Sequence, residues 1–240
     1  MVVYNFLTER LKLIAAAIAG MCLLHTSPSL AGDSSARRTM QTIGDCVILG
    51  REATALEVFL KPTPPSGYKC PNNVLLCQLP QCLDRAGAGS IRLSPWDFDS
   101  IVADSLVRHF YKSEDIGDLG EVIEGATSRA NTIVALSDLP TDRSKRDDAF
   151  KRYLSALSSA FLITVTECVV RRDAASVRAF LLADAGSTDE ETKFKALAPD
   201  FQACQPQDSS VQFSMFYKRG WLAINYLKLA DVKAKGPNHA

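Results

Sequence analysis

Ser105 and His109 stand four residues apart, so on a helix a hydroxyl and an imidazole would share one face, as a nucleophile and its general base must. No carboxylate falls on that face to orient the imidazole, and no strand–turn–helix elbow precedes the serine. A surface serine and histidine on an amphipathic helix is the stronger reading. His25 and His239 lie in the terminal segments, which leaves His109 as the one imidazole of the body. Asp97 and Asp99 flank Phe98 and suggest a two-carboxylate hydrolase. Positions i and i+2 point about 200° apart around a helix, so the two would diverge, and they read instead as charges meeting a helix amino terminus. Glu114, Asp115 and Asp118 do not match a calcium loop, and no glycine-rich phosphate cradle occurs. Arg171-Arg172, Arg178 and Lys218-Arg219 are the best binding groups, because guanidinium pairs suit carboxylates and phosphates. Arg171, Arg172, Arg178 and Arg219 are therefore the candidate binding residues. The competing reading has them closing helix carboxyl ends and pairing with Glu167 or Asp173. No catalytic residue, cofactor or metal is assigned.

Cysteine offers a second kind of chemistry. The chain of 240 residues has seven, of which Cys22 lies in an apolar amino-terminal run. Arg10 and Lys12 precede that run, Leu13 to Leu24, and Ser29-Leu30-Ala31 follows it, which is the pattern of a cleaved secretory signal. The run is too short to span a bilayer unaided, where about 20 residues are needed. Cys22 invites lipidation, but Met21 occupies the place of the expected small residue. An exported chain with Cys46, Cys70, Cys77, Cys82, Cys168 and Cys204 reads as a disulfide framework. Zinc at Cys70, Cys77 and Cys82 is disfavoured, because the short paired spacing and a nearby histidine are both lacking. The signal holds two basic and one acidic residue out of 27 and 27, so the remainder carries 25 against 26. That near-neutral balance argues against a nucleic-acid binder.

The elements that would position these groups are mostly helical. Apolar residues from Arg37 to Lys61 fall at helical spacing, with interruptions expected at Gly44 and Gly50 and a stop at Pro62. Tyr68 to Gly89 reads as loop, with Val74 to Cys77 as one helical turn or a short strand. Ser94-Pro95-Trp96-Asp97 is a capping box, opening a helix with Phe98, Ile101, Val102, Leu106 and Phe110 inward. Ile116 to Leu136 is expected to be helical again, and Ser137 to Ser144 to be a linker. Phe150, Tyr153, Leu154, Leu157, Phe161, Thr164 and Cys168 trace one stripe that predicts a long helix with the cysteine on its core face. Asp173 caps a helix ended by Gly186, and Thr188 to Glu191 starts another that breaks near Pro199. Val211-Gln212-Phe213 reads as extended. A closing helix carries Phe216, Trp221, Ile224 and Leu227, with a frayed tail from Lys233. Trp96 and Trp221 could line a groove, although core packing is the safer assignment.

The halves of the chain answer each other. Cys46 and Cys82 are 36 apart, as are Cys168 and Cys204. Asp45-Cys46-Val47 matches Glu167-Cys168-Val169, and Leu56 to Leu60 matches Val177 to Leu181. Ser90 to Leu93 matches Ser210 to Phe213, and the Ser105-to-Tyr111 helix matches Ala223 to Leu229. If each half is a folding unit, Cys46–Cys82 and Cys168–Cys204 are the equivalent bridges, leaving Cys70–Cys77 as a local clip. Each long bridge closes a loop worth about 4 kcal/mol on the chain-entropy model.

Cys168-Val169-Val170-Arg171-Arg172, then Val177 to Leu181, Leu197-Ala198-Pro199, Cys204, and Arg219-Gly220-Trp221-Leu222-Ala223 with Tyr226 resemble an uncharacterised family of exported bacterial proteins built from tandem repeats of this pattern. The resemblance implies a periplasmic, disulfide-containing, mainly helical protein and carries no activity. The first copy departs from it, with Ile48-Leu49-Gly50 in place of the arginine-bearing run. The expected fold is all-α: a helical bundle of two tandem disulfide-linked helical repeats with short extended segments. The expected division is 1–31 signal peptide, 32–113 first repeat, 114–145 helical connector and linker, 146–232 second repeat and 233–240 flexible tail. The expected role is a non-enzymatic binding or structural protein, periplasmic or secreted, with another envelope protein or a small anionic ligand as partner. A small periplasmic hydrolase with an unrecognised active site is the alternative. No nucleic acid and no membrane span after signal cleavage are expected.

Overall fold

The structure, a computed structural model, describes residues 34–60, 75–88, 91, 93–113, 116–120, 142–205 and 214–235, with backbone alone at 95, 143–148, 151–152 and 154–156. The signal segment, Cys70 and the Val211-to-Phe213 piece lie outside the described residues. What is described is all-α, with nine helices and no strand among those residues.

Helix α1 (Ser34–Ile48) runs through Gly44 without a break, contrary to the sequence expectation. Gly44 serves a close approach instead: a Cβ there would lie 2.5 Å from both the Ile101 carbonyl oxygen and Ser105 Oγ of the helix beneath. The interruption falls at Gly50, whose φ of 71° lets the chain turn into α2 (Glu52–Leu60). Residues 75–78 form a turn leading to α3 (Leu79–Arg85). Helix α4 (Pro95–Phe110) opens as expected, with Ser94 and Asp97 exchanging both bonds of a capping box and proline in the first turn.

The helix expected to begin at Ile116 is absent from 116–120, and 121–136 lie outside the described residues. Gly117 takes a φ of 64° and Asp118 Oδ1 accepts the Gly120 N–H, a side-chain turn that competes with helix. Helix α5 (Arg143–Arg172) is 30 residues long and starts inside the expected linker. Its buried face is not the predicted stripe. Leu157 is buried, but Phe150 is 39% exposed and Thr164 is exposed, while Leu162, Val165, Thr166, Val169 and Val170 form the deep side. The last helix lies on that face, where Asn225 Nδ2 donates to Ile163 O and Thr166 Oγ1. Cys168 is half-buried and turned toward α8 by its disulfide.

Asp173 caps α6 (Ala174–Leu182) through the Ser176 N–H. Helix α7 (Thr188–Ala196) is capped by Ser187, one residue before the expected start, and the Glu190 carboxylate turns back to the Gly186 N–H. Helix α8 (Ala198–Cys204) follows a break at Leu197. Helix α9 (Met215–Lys235) does not fray at Lys233, whose Nζ donates to Ile116 O and Asp118 O.

The central pair is α4 against α9. Helices α1 and α2 lie on α4, and α5 and α6 lie on α9. Leu106, Val107, Leu222 and Leu227 are fully buried along this axis, each burial worth roughly 2 kcal/mol. The expected pairs Cys46–Cys82 and Cys168–Cys204 are both bonded, tying α1 to α3 and α5 to α8 across equal separations of 36 residues. Cys77 is also disulfide-bonded.

Gly186 locks the start of α1 onto the α6–α7 turn. Its φ is 74°, and a Cβ there would lie 2.2 Å from the Ser34 carbonyl oxygen. Gly186→Ala is expected to destabilise by at least about 2 kcal/mol, from backbone strain plus the clash. Gly50→Ala shares the positive φ but meets nothing within 4 Å, so it should lose only about 1 kcal/mol. Urea unfolding of the two variants separates the terms; equal losses would show that the Ser34 contact is immaterial.

Candidate functional site

The most charged place in the interior is centred on Arg219, which projects from the first turns of α9 and is 4% exposed. All five of its N–H donors are used. Nε donates to Asp104 Oδ1 at 2.9 Å, and Nη1 to Glu190 Oε1 at 3.1 Å and Phe180 O at 3.2 Å. Nη2 donates to Leu181 O at 2.6 Å and Ala183 O at 3.0 Å. Three of these acceptors are carbonyls at the carboxyl end of α6, where the helix favours a cation; Phe180 O also takes the Ala183 N–H. The guanidinium also lies 5.3 Å from the Phe180 ring centroid.

Around this hub the charges interlock. Glu190 is fully buried, and its Oε2 accepts from Arg37 Nε at 3.2 Å and from Gly186 N at 2.7 Å. Asp104 Oδ2 accepts from Arg108 Nη1, and Arg108 Nη2 reaches both Asp45 Oδ1 and Ser105 Oγ. Burial disfavours the Arg108 charge, yet Asp104 and Asp45 outweigh it and hold the group above the ordinary arginine range. Helices α1, α4, α7 and α9 each contribute, so the network pins elements distant in sequence.

The four predicted binding arginines are not brought together. Arg171 donates Nε and Nη2 to Glu167 Oε1, one turn back on α5. Arg172 is exposed and pairs with Asp200 at 3.0 Å. Arg178 donates to Tyr111 O and Lys112 O, closing the end of α4. Arg219 has no donor left for a ligand. Of the pairings the competing reading offered, Arg171 with Glu167 is present and Arg178 closes a helix end, whereas Arg172 and Arg219 pair with acids distant in sequence.

The serine–histidine pair is not assembled either. Ser105 is 1% exposed and its hydroxyl accepts from Arg108, while His109 is exposed and meets Phe110 edge-on. Trp96 and Trp221 do meet, with ring centroids 5.4 Å apart, one 37% and the other 3% exposed. Nearby, burial and then Asp97 push the Tyr217 phenol up, and burial pulls the Lys218 ammonium below the ordinary lysine range. The rings of Phe194 and Phe201, at 5.1 and 5.5 Å from Lys218 Nζ, oppose that by favouring the cation.

Beside the hub lies a partly open cavity of about 20 Å³, between α1, α4, α9 and the α6–α7 turn. Arg37, Gln41, Ser100, Asp104 and Arg219 form its polar wall. Sequence reasoning missed Arg37, Asp104, Arg108 and Glu190. Each sits in a helix among other polar residues, and nothing local marks the ones that turn inward.

Comparison with known proteins adds no relative: no family model matches the chain, and no curated protein or solved structure matches it significantly. The class that the fold defines is an all-α, disulfide-braced helical bundle.

Proposed function

We propose that the chain is an exported protein, built from two copies of one disulfide-braced helical unit, that works in the envelope by non-covalent binding or as a structural element. The observation that carries the reading is the recurrence of one plan. A cysteine-bearing helix, a short helix, a helix with the partner cysteine and a closing helix occur in that order in each half, with equal bridges.

Burial supports the same correspondence. Val47 and Ile48 answer Val169 and Val170, and Ala55 answers Val177, all buried. On the closing helices Ile101, Val102, Ala103, Leu106 and Val107 answer Trp221, Leu222, Ala223, Tyr226 and Leu227, again all buried. This register sets Ser105 against Asn225, two residues from the Ser105–Ala223 match and in line with the Ser90–Ser210 match. It also equates the contact of Gly44 with Ser105 to that of Thr166 with Asn225. Helix α7 has no counterpart among the described residues of the first half.

Disulfides point to an oxidising compartment, and no helix among the described residues is long and apolar enough to cross a membrane. The resemblance to exported repeat proteins and the signal-like amino terminus support the same address. A binding or structural role is favoured over hydrolysis because Ser105 and the arginines are committed to internal partners.

Fractionation of the producing cells with non-reducing peptide mapping tests the reading. A mature amino terminus at Gly32 with both long bridges intact is the expected result. An uncleaved chain in the cytosol with reduced cysteines would overturn it.

A further inference from the structure

We infer that the cavity beside Arg219 is a small-anion site whose principal ligand is the outer edge of the Arg37 guanidinium. The side chain of Arg37 is only 8% exposed, and it spends a single donor, Nε, on Glu190. Its Nη groups have no partner among the described residues. The cavity is partly open, so these nitrogens are not sealed from solvent and stay available to an acceptor that enters it.

Each oxygen of the neighbouring carboxylates already accepts at least one hydrogen bond. Asp104 gives one oxygen to Arg219 and the other to Arg108, and Glu190 serves Arg219 with one oxygen and Arg37 and Gly186 with the other. Charge does not add to this: Asp45, Asp104 and Glu190 balance Arg37, Arg108 and Arg219, so an occupant is held by the donors left over and not by an unpaired charge.

Two other lining residues, Ser100 on α4 and Gln41 one turn along α1 from Arg37, supply further donors. Ser100 is 2% exposed and its hydroxyl makes no hydrogen bond among the described residues. Gln41 uses Oε1 to accept from Ala185 N, which leaves its amide N–H groups for an occupant. The cavity's 20 Å³ suits one atom of water or halide size. The shared chemistry is thus a single anionic atom, either a chloride ion or one oxygen of a carboxylate entering from the mouth.

The inference rests on the binding reading for its meaning, while the anion measurement is independent of export. Failure of the peptide map leaves the titration intact, and the reverse also holds. The test is chloride-35 line broadening on the full, disulfide-intact protein, titrated with sodium chloride and then with sodium acetate. Saturable broadening is expected. Arg37→Lys keeps one charge for Glu190 but removes the fork, and should abolish the broadening. Ser100→Ala disturbs no existing bond and should weaken chloride several-fold, so it decides the matter if the lysine variant fails to fold. Displacement by acetate would identify the site with a ligand carboxylate, and chloride binding without displacement would confine it to a free ion. Absence of saturable broadening, or broadening unchanged in either folded variant, would overturn the assignment and leave a water there.

Discussion

Arg219→Met should destabilise the protein by roughly 3–5 kcal/mol, with a fall in Tm of about 10 °C or more. Methionine preserves much of the volume, so the loss isolates the guanidinium. It strands the fully buried Glu190 with one cation fewer, leaves Asp104 Oδ1 without its partner, and takes the guanidinium from the carbonyls of Leu181 and Ala183, while Phe180 O keeps the Ala183 N–H. Arg219→Lys keeps the charge but offers three donors from one nitrogen where five from a fork are in use, so most of the loss should remain. A second substitution gives the diagnostic. Glu190→Gln in the Arg219→Met background removes the stranded charge, and part of the stability should return, a non-additivity that a double-mutant cycle measures. An Arg219→Met protein within about 1 kcal/mol of the parent would refute the hub.

That hub also marks the limit of what the sequence could disclose. The Ser94–Asp97 capping box and the Asp173 cap were legible because each is closed within four residues, where side-chain type and spacing suffice. The two long disulfides were legible because both cysteine pairs share a spacing of 36 residues, so one pairing suggested the other. Arg37, Asp104, Glu190 and Arg219 meet only when four helices have docked, across separations of up to 153 residues. On its own helix Glu190 looks like any acidic residue of a first turn.

The stripe on α5 failed for a related reason. Helical periodicity locates an apolar face but not the neighbour that covers it. Here α9 covers the Leu162–Thr166–Val169 side, while Phe150, on the predicted stripe, stays 39% exposed. Gly44 misled in the opposite direction. Propensity treats glycine as a helix breaker, yet a helix with a notch is what lets α4 approach. Arg171, Arg172 and Arg178 stand close in sequence, but Glu167, Asp200 and the end of α4 claim them separately, because clustering in sequence does not fix which partner each side chain meets.

Removing either long bridge should cost about 4 kcal/mol by the same reasoning, since each closes a loop of equal length in the unfolded chain. The alanine pairs Cys46→Ala/Cys82→Ala and Cys168→Ala/Cys204→Ala should therefore shift the urea midpoint by similar amounts. Alanine is preferred to serine because Cys82 is 2% exposed and a hydroxyl there would be buried without a partner. The native surroundings differ, with α7 packed beside α8 in the second half, so any gap between the variants reports folded-state packing and not loop closure. Cooperativity is the sharper outcome. Because α4 and α9 form one central pair, loss of a bridge in one half should lower the stability of the whole and leave a single transition. Two separated transitions, with hydrogen exchange rising only in the half that lost its bridge, would mean that the units fold independently and that the α4–α9 contact is an interface between domains, not a shared core.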